Sequence, residues 1–384
     1  MFSNPFSPIF GGKPGVFFGR ETILNLFDHA MLDIGSDNRA MFITGTRGSG
    51  KTALLEQLSI RAAAKKRKVI DLGPNDTLSQ MIYTLAGYDE VTKTVNPQAN
   101  ISILGIGGGI SAKSVSRTEH IGKENLQSLL LETCSKSKNG VLVTIDEVQK
   151  VPVEDISLIC NAFQMASRKG MDIILAVAGL PYAYSRLIKN EGSTYLRRAV
   201  HEEIGLFDWD EANAALNKMF SGIKGLTVSE SMIGKMNQVS YGHPYLMQLL
   251  GYYLVLHINS QDPAKNHTVS DKEVEEAVAN AQSAYEQRAL KPLMEELPHR
   301  EKDYLIKMSE CLDEDRLAST SDIASGMGIP QNKLSRVRGT LIDHGIIAAP
   351  ERGKVMFCIP YLADYVKKEE QTADVVEVAR KRRV

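Results

Sequence analysis

The chain has 384 residues, 43% hydrophobic and 24% charged, with a formal net charge of −1. That length predicts two or three domains, each with ample apolar material for a core. The near-zero charge excludes binding of nucleic acid through bulk charge, so any basic surface must be local. Aromatic residues make up 7%, which argues against a sugar-binding or aromatic-cage protein. Cysteines stand at 134, 160, 311 and 358, with no CxxC pair. They read as reduced thiols and not as a disulfide framework or zinc cluster. No apolar run reaches the length of a membrane span. The N-terminus lacks the basic and continuous apolar regions of a secretory signal. A cytoplasmic location, with no membrane partner, is the expectation.

Residues 1–15 mix proline, glycine and aromatics and predict an ordered extended arm, neither helix nor strand. Apolar spacing from Arg20 to Leu32 predicts a helix. RAMFIT, residues 39–44, predicts a buried strand, 51–66 a helix, and KVIDL, 68–72, a second strand. Residues 99–119, rich in glycine, read as a β-hairpin insert or a loop that orders on binding. A helix is expected over 124–134 and a strand over 140–145. A further helix is expected over 155–168 and a strand over 172–178. A short fifth strand is expected at 203–206. The rhythm over 16–206 predicts a parallel sheet with helices on both faces. Residues 207–297 read as a helical subdomain, with Asp208, Ser229 and Ser270 as helix N-caps. Residues 298–368 form a third module, and 369–384 a basic-ended tail.

The strongest motif is Gly45-Thr46-Arg47-Gly48-Ser49-Gly50-Lys51-Thr52, which fits G-x-x-x-x-G-K-[ST] between a strand and a helix. Its glycines let backbone N–H groups curl around phosphate oxygens, and the next helix aims its N-terminus at the same anion. Lys51 would reach the β- and γ-phosphates of ATP or ADP, and the Thr52 hydroxyl would ligate Mg²⁺. In VLVTIDEVQ, Asp146 and Glu147 end an apolar strand. Asp146 would hold the Mg²⁺, and Glu147 would orient or deprotonate the attacking water. Arg197 and Arg198 precede the fifth strand. Two readings stand for them: a finger reaching the γ-phosphate of a neighbouring subunit, or a surface pair on carboxylates such as Glu202.

The ordered set resembles the AAA+ and STAND-type P-loop ATPases. It comprises Phe18-Gly19-Arg20-Glu21, the phosphate loop, Ile145-Asp146-Glu147, Ala178-Gly179-Leu180-Pro181, Leu196-Arg197-Arg198 and Gly242-His243-Pro244-Tyr245. It is most similar to the bacterial origin-recognition-complex-like AAA ATPases. The resemblance implies an α/β P-loop sheet followed by a helical lid and a C-terminal winged helix-turn-helix. It also implies that Arg20, His243 and Pro244 border the adenine and ribose. Two departures stand out. The fourth strand ends in Ala178-Gly179-Leu180, where AAA+ proteins usually carry a polar residue beside the γ-phosphate. The lid offers Gly242-His243-Pro244 where many carry an arginine. Both favour a slow ATP/ADP switch over a processive motor.

In the third module the spacing predicts helices over 300–318, 320–327 and 331–343, then two short strands around a turn at 351–353. That is the order of a winged helix. Between residues 330 and 354, Lys333, Arg336, Arg338, Arg352 and Lys354 stand against Asp343 and Glu351. This local basic surface fits phosphates of double-stranded DNA. Winged helices also mediate protein contacts, so an unidentified protein partner is the second reading. A trans-acting arginine would further require a homo-oligomer. A non-hydrolysing scaffold that retains nucleotide, using the winged helix and the 99–119 insert for protein contacts, is the alternative function.

Overall fold

The computed structural model describes residues 1–9, 16–87, 125–193, 195–261 and 265–370. The 99–119 insert and the tail beyond residue 370 lie outside the described residues. The chain divides into two compact units. A sheet unit comprises Arg20–Thr44 and Leu54–Glu203. A helical unit comprises Met1–Gly19, Gly45–Ala53 and Ile204–Val384, so the phosphate loop belongs with it.

In chain order the sheet unit runs α1 (Glu21–Leu32), β1 (Ala40–Thr44), the continuation of α2 (Lys51–Ala64), β2 (Lys68–Leu72) and α3 (Thr77–Leu85). It then runs α4 (Leu126–Lys136), β3 (Val141–Ile145), α5 (Val153–Arg168), β4 (Ile173–Gly179), α6 (Pro181–Ile188) and β5 (Val200–Glu203). The strands form one parallel sheet in the order β2-β3-β4-β1-β5. Every residue of β1, β3 and β4 is buried. AMFIT, VLVTI and IILAVAG therefore have no polar face, as central parallel strands covered on both sides require. Register places Thr44 opposite Gly179 on one side and Glu203 on the other.

The fifth strand is three residues earlier than the sequence predicts, over Val200–Glu203 and not 203–206. It lies at the sheet edge, where His201 and Glu203 stay exposed. An edge strand tolerates such polarity, so its sequence does not look like a buried strand.

The opposite ends of the strands are held by charge. Arg39, Arg67 and Asp172 directly precede β1, β2 and β4. Asp172 accepts from both Arg67 guanidinium nitrogens at 2.8 and 2.9 Å and from Arg39. Both arginines are buried and also donate to backbone carbonyls. Burial acts to raise the Asp172 pKa, but the two guanidiniums prevail and hold it below the usual carboxylate value. The buried thiols of Cys134 and Cys160 are pushed up by desolvation to about 11 and 12, so neither is a reactive thiolate.

The helical unit continues with α7 (Trp209–Ser221), β6 (Leu226–Thr227), α8 (Glu230–Ser240), α9 (Pro244–Ser260), β7 (His267–Thr268) and α10 (Asp271–Tyr285). A π-helical turn, Glu286–Leu290, leads into α11 (Lys291–Glu296). Asp208, Ser229 and Ser270 each accept a backbone N–H as N-caps, with full capping boxes at Asp208 and Ser270.

The N-terminal arm docks on this unit. Phe6 packs so closely on α9 that a Cβ at Gly251 would lie 2.1 Å from its ring. Asn259 ties both backbone groups of Phe2, which holds the described residues 1–9 without helix or strand; residues 10–15 of the expected arm lie outside the described residues.

The third module holds α12 (His299–Glu310), β8 (Leu317–Ser319), α13 (Thr320–Met327), a 3₁₀ turn (Gln331–Leu334) and α14 (Ser335–Asp343). β9 (Ile347–Ala348), β10 (Lys354–Phe357) and a helix over 362–370 complete it. β8, β10 and β9 form an antiparallel sheet in the order β8-β10-β9. The predicted helix over 300–318 is a correction: it ends at Glu310, and 317–319 pairs with β10. Asp313 accepts the Leu317 N–H and its backbone N–H donates to the Leu317 carbonyl, so the chain turns where the apolar spacing continued to suggest helix. One apolar core runs from Phe2 and Phe6 through α7–α10 to Leu341 and Val355.

Candidate functional site

The phosphate loop leaves the end of β1 after Thr44 and enters α2 at Lys51. Gly48 and Gly50 adopt positive φ, +79° and +94°, which curls the backbone as the motif requires. Lys51 is buried, and its Nζ donates to the carbonyl oxygens of Gly45 and Thr46, both at 2.8 Å. The Ser49 hydroxyl is buried with no hydrogen-bond partner among the described residues. A buried ammonium held over its own loop, beside an unsatisfied hydroxyl, is a donor set suited to an anion, and the loop fits a nucleotide phosphate. Thr52, the second residue of α2, is exposed.

His243 seats against this loop within the same unit. It is buried and caps α9, its Nδ1 accepting the Leu246 N–H at 3.4 Å. That bond places the proton on Nε2, which donates to the Arg47 carbonyl at 3.2 Å. Gly48 is required here, since a Cβ would lie 2.4 Å from the His243 ring. Burial, with the Lys51 charge adding to it, lowers the His243 pKa to about 4. Pro244 is the first residue of α9, where its missing N–H costs nothing.

The loop also reaches toward the third module. Arg47 pairs with Glu296, the last residue of α11, at 2.6 Å. The Arg47 charge, after burial, lowers the pKa of His344, the C-cap of α14.

Phe207 is a residue that the sequence reading passed over. Its ring meets Phe18 edge-on at 6.4 Å, and its N–H donates to the Gly242 carbonyl at 2.9 Å. It thereby brings together the Phe18-Gly19 and Gly242-His243 motifs, which are far apart in the chain. Arg20 itself starts α1 in the left-handed region, φ 65°.

In the sheet unit Asp146 and Glu147 follow β3. The Asp146 carboxylate accepts the Glu147 N–H at 2.8 Å, and Glu147 is held at φ 51°. The Glu147 carboxylate accepts from Gln149 Nε2 at 2.8 Å and pairs with Lys150 at 3.2 Å. Gln149 is the second residue that the sequence reading missed; an apolar-periodicity reading has no signal for a buried amide on a 3₁₀ turn.

The two arginines differ. Arg197 donates to the carbonyls of Ile188 and Asn190 at 2.5 and 3.4 Å, closing the end of α6. Arg198 is exposed; its backbone N–H donates to the Tyr195 carbonyl at 3.2 Å, and its side chain makes no hydrogen bond or ion pair among the described residues. Among the described residues, neither side chain forms a hydrogen bond or ion pair with Glu202.

On the third module Lys333, Arg336 and Arg352 are exposed, while Arg338 is half-buried and its charge acts on the Tyr304 phenol of α12. Lys354 pairs with Asp313 at 2.6 Å, an acidic neighbour outside the 330–354 window.

A family model described as a domain of unknown function (DUF8462) matches residues 287–366. No curated protein matches the chain. Among solved structures, the chain is similar to the ORC2 protein of Aeropyrum pernix in its ADPNP–ADP complexes. The TM-score is 0.62 and the identity 16%, covering 94% of each chain. The ADP form of the same protein gives a TM-score of 0.53 at 15% identity, covering 92% of this chain and 93% of that one. With the sheet order above, these likenesses show an AAA+ P-loop NTPase fold.

Proposed function

We propose that the chain binds and slowly hydrolyses ATP, and that its nucleotide state governs DNA binding by the third module. One observation carries the reading: a phosphate loop whose Arg47 carbonyl is held by the lid residue His243, while the Arg47 side chain pairs with Glu296 at the entrance to that module. A phosphate on the loop competes with the loop carbonyls for Lys51 and so acts on a segment packed with the lid.

In this reading Gly45–Thr52 hold the phosphates, and Thr52 and Asp146 hold Mg²⁺. The metal would supply charge neutralisation on the phosphate oxygens. Glu147 orients and deprotonates water. Arg20, His243 and Pro244 border the base and ribose, and Arg198 is the better finger candidate because Arg197 is committed to α6. The nucleotide-bound solution of the similar A. pernix protein supports the choice of ligand. Lys333, Arg336, Arg338, Arg352 and Lys354 would contact DNA phosphates.

Fluorescence anisotropy with labelled ADP and labelled duplex tests both halves. Wild type is expected to bind ADP, and Lys51→Ala to lose it. Arg336→Ala and Lys333→Ala are each expected to weaken duplex binding and to reduce the salt slope by about 0.9. Duplex binding that is identical in apo, ADP and ATP-analogue states would contradict the switch.

A further inference from the structure

The tip of β4 lacks the polar side chain that the resemblance leads one to expect there, yet a polar group does occupy that place. It arrives from the turn after β3. Gln149 is buried, and its Oε1 accepts the Leu180 N–H at 3.1 Å. That contact fixes the carboxamide orientation, because the opposite orientation would set an N–H against an N–H. The NH₂ group is thereby turned to the Glu147 carboxylate, 2.8 Å away. Gly179 makes the room: a Cβ there would lie 2.8 Å from Gln149 Oε1. Ala178-Gly179-Leu180 is thus a seat for a glutamine from the neighbouring strand's turn.

We propose that Gln149 is the positioning residue for Glu147. It ties one carboxylate oxygen, Oε2, to the backbone of the β4 tip. Lys150 holds the same Oε2 at 3.2 Å, but from an exposed side chain that salt and solvent weaken. Gln149 therefore sets the carboxylate's direction. The proposal rests on the ATPase reading above, since only a group that activates water needs its carboxylate aimed.

The test compares steady-state ATP turnover and nucleotide affinity in wild type, Glu147→Gln, Gln149→Met, Gln149→Ala and Gln149→Glu. Gln149→Met keeps the volume and loses both hydrogen bonds, so it guards against a folding artefact in Gln149→Ala. Both are expected to lower kcat by about tenfold or more with nucleotide affinity unchanged. Gln149→Glu keeps an acceptor for the Leu180 N–H but sets a carboxylate beside Glu147. Like charges repel, so the Glu147 carboxylate is turned from that seat and kcat is expected to fall there as in Gln149→Met. A merely structural glutamine would lower stability or nucleotide affinity and would not lower kcat alone. Wild-type turnover that Glu147→Gln abolishes but Gln149→Met and Gln149→Ala leave intact would overturn the proposal and spare the ATPase reading. Absence of any Glu147-dependent turnover would overturn both.

Discussion

His243 shows how one side chain ties a motif to its neighbour. As a neutral imidazole it accepts at Nδ1 and donates at Nε2, so it serves the α9 cap and the Arg47 carbonyl together. Protonation at Nδ1 destroys the cap acceptor. The folded pKa is about 4, below the ordinary value of 6.5, so the unfolded chain takes up this proton first. Stability is then expected to be full above about pH 6.5 and to fall as pH drops toward 4. His201 and His344 are also lowered and act in the same sense. The measurement is therefore a difference: urea unfolding of wild type and His243→Asn across pH 4–7. The wild type is expected to lose more stability on acidification than the variant. Residues such as Lys51 and Glu147 were legible because their chemistry fixes their spacing. Gln149 and Phe207 were not, because each acts through a neighbour that only folding supplies.

At the scale of elements, the central strands were readable because a strand buried on both faces has to be apolar throughout, as β1, β3 and β4 are. The helix α3, with Leu78, Met81, Ile82 and Leu85 buried at helical spacing, went unread, since it is short and follows a turn. β5 was displaced by the apolar pull of residues 204–206, and β8 was absorbed into the preceding helix. Nor did the sequence disclose the ion cluster that fixes the strand starts. Removing Asp172 would leave Arg39 and Arg67 buried without a counter-charge. Asp172→Ala is expected to destabilise the protein by about 3–5 kcal/mol, read by chemical denaturation. Because the folded Asp172 pKa is depressed, its contribution is present above about pH 3.8 and is lost as pH falls through the lower folded value. A variant with unaltered stability would mean that solvent satisfies both guanidiniums.

At the scale of the molecule, the phosphate loop shares its unit with α7–α10 and the third module, and one continuous core joins those helices to that module. His243 packs against the loop, and Arg47 of the loop pairs with Glu296 at the surface. The proposed switch rests on a ligand drawing Lys51 from the Gly45 and Thr46 carbonyls and so changing the loop those residues hold. Slow hydrolysis is the central proposal. Its most direct test is steady-state ATP turnover of wild type, Lys51→Ala and Glu147→Gln, with and without duplex DNA. Slow wild-type turnover that changes with DNA and vanishes in both variants is expected. Nucleotide bound by wild type with no turnover under either condition would contradict it and favour a nucleotide-retaining scaffold.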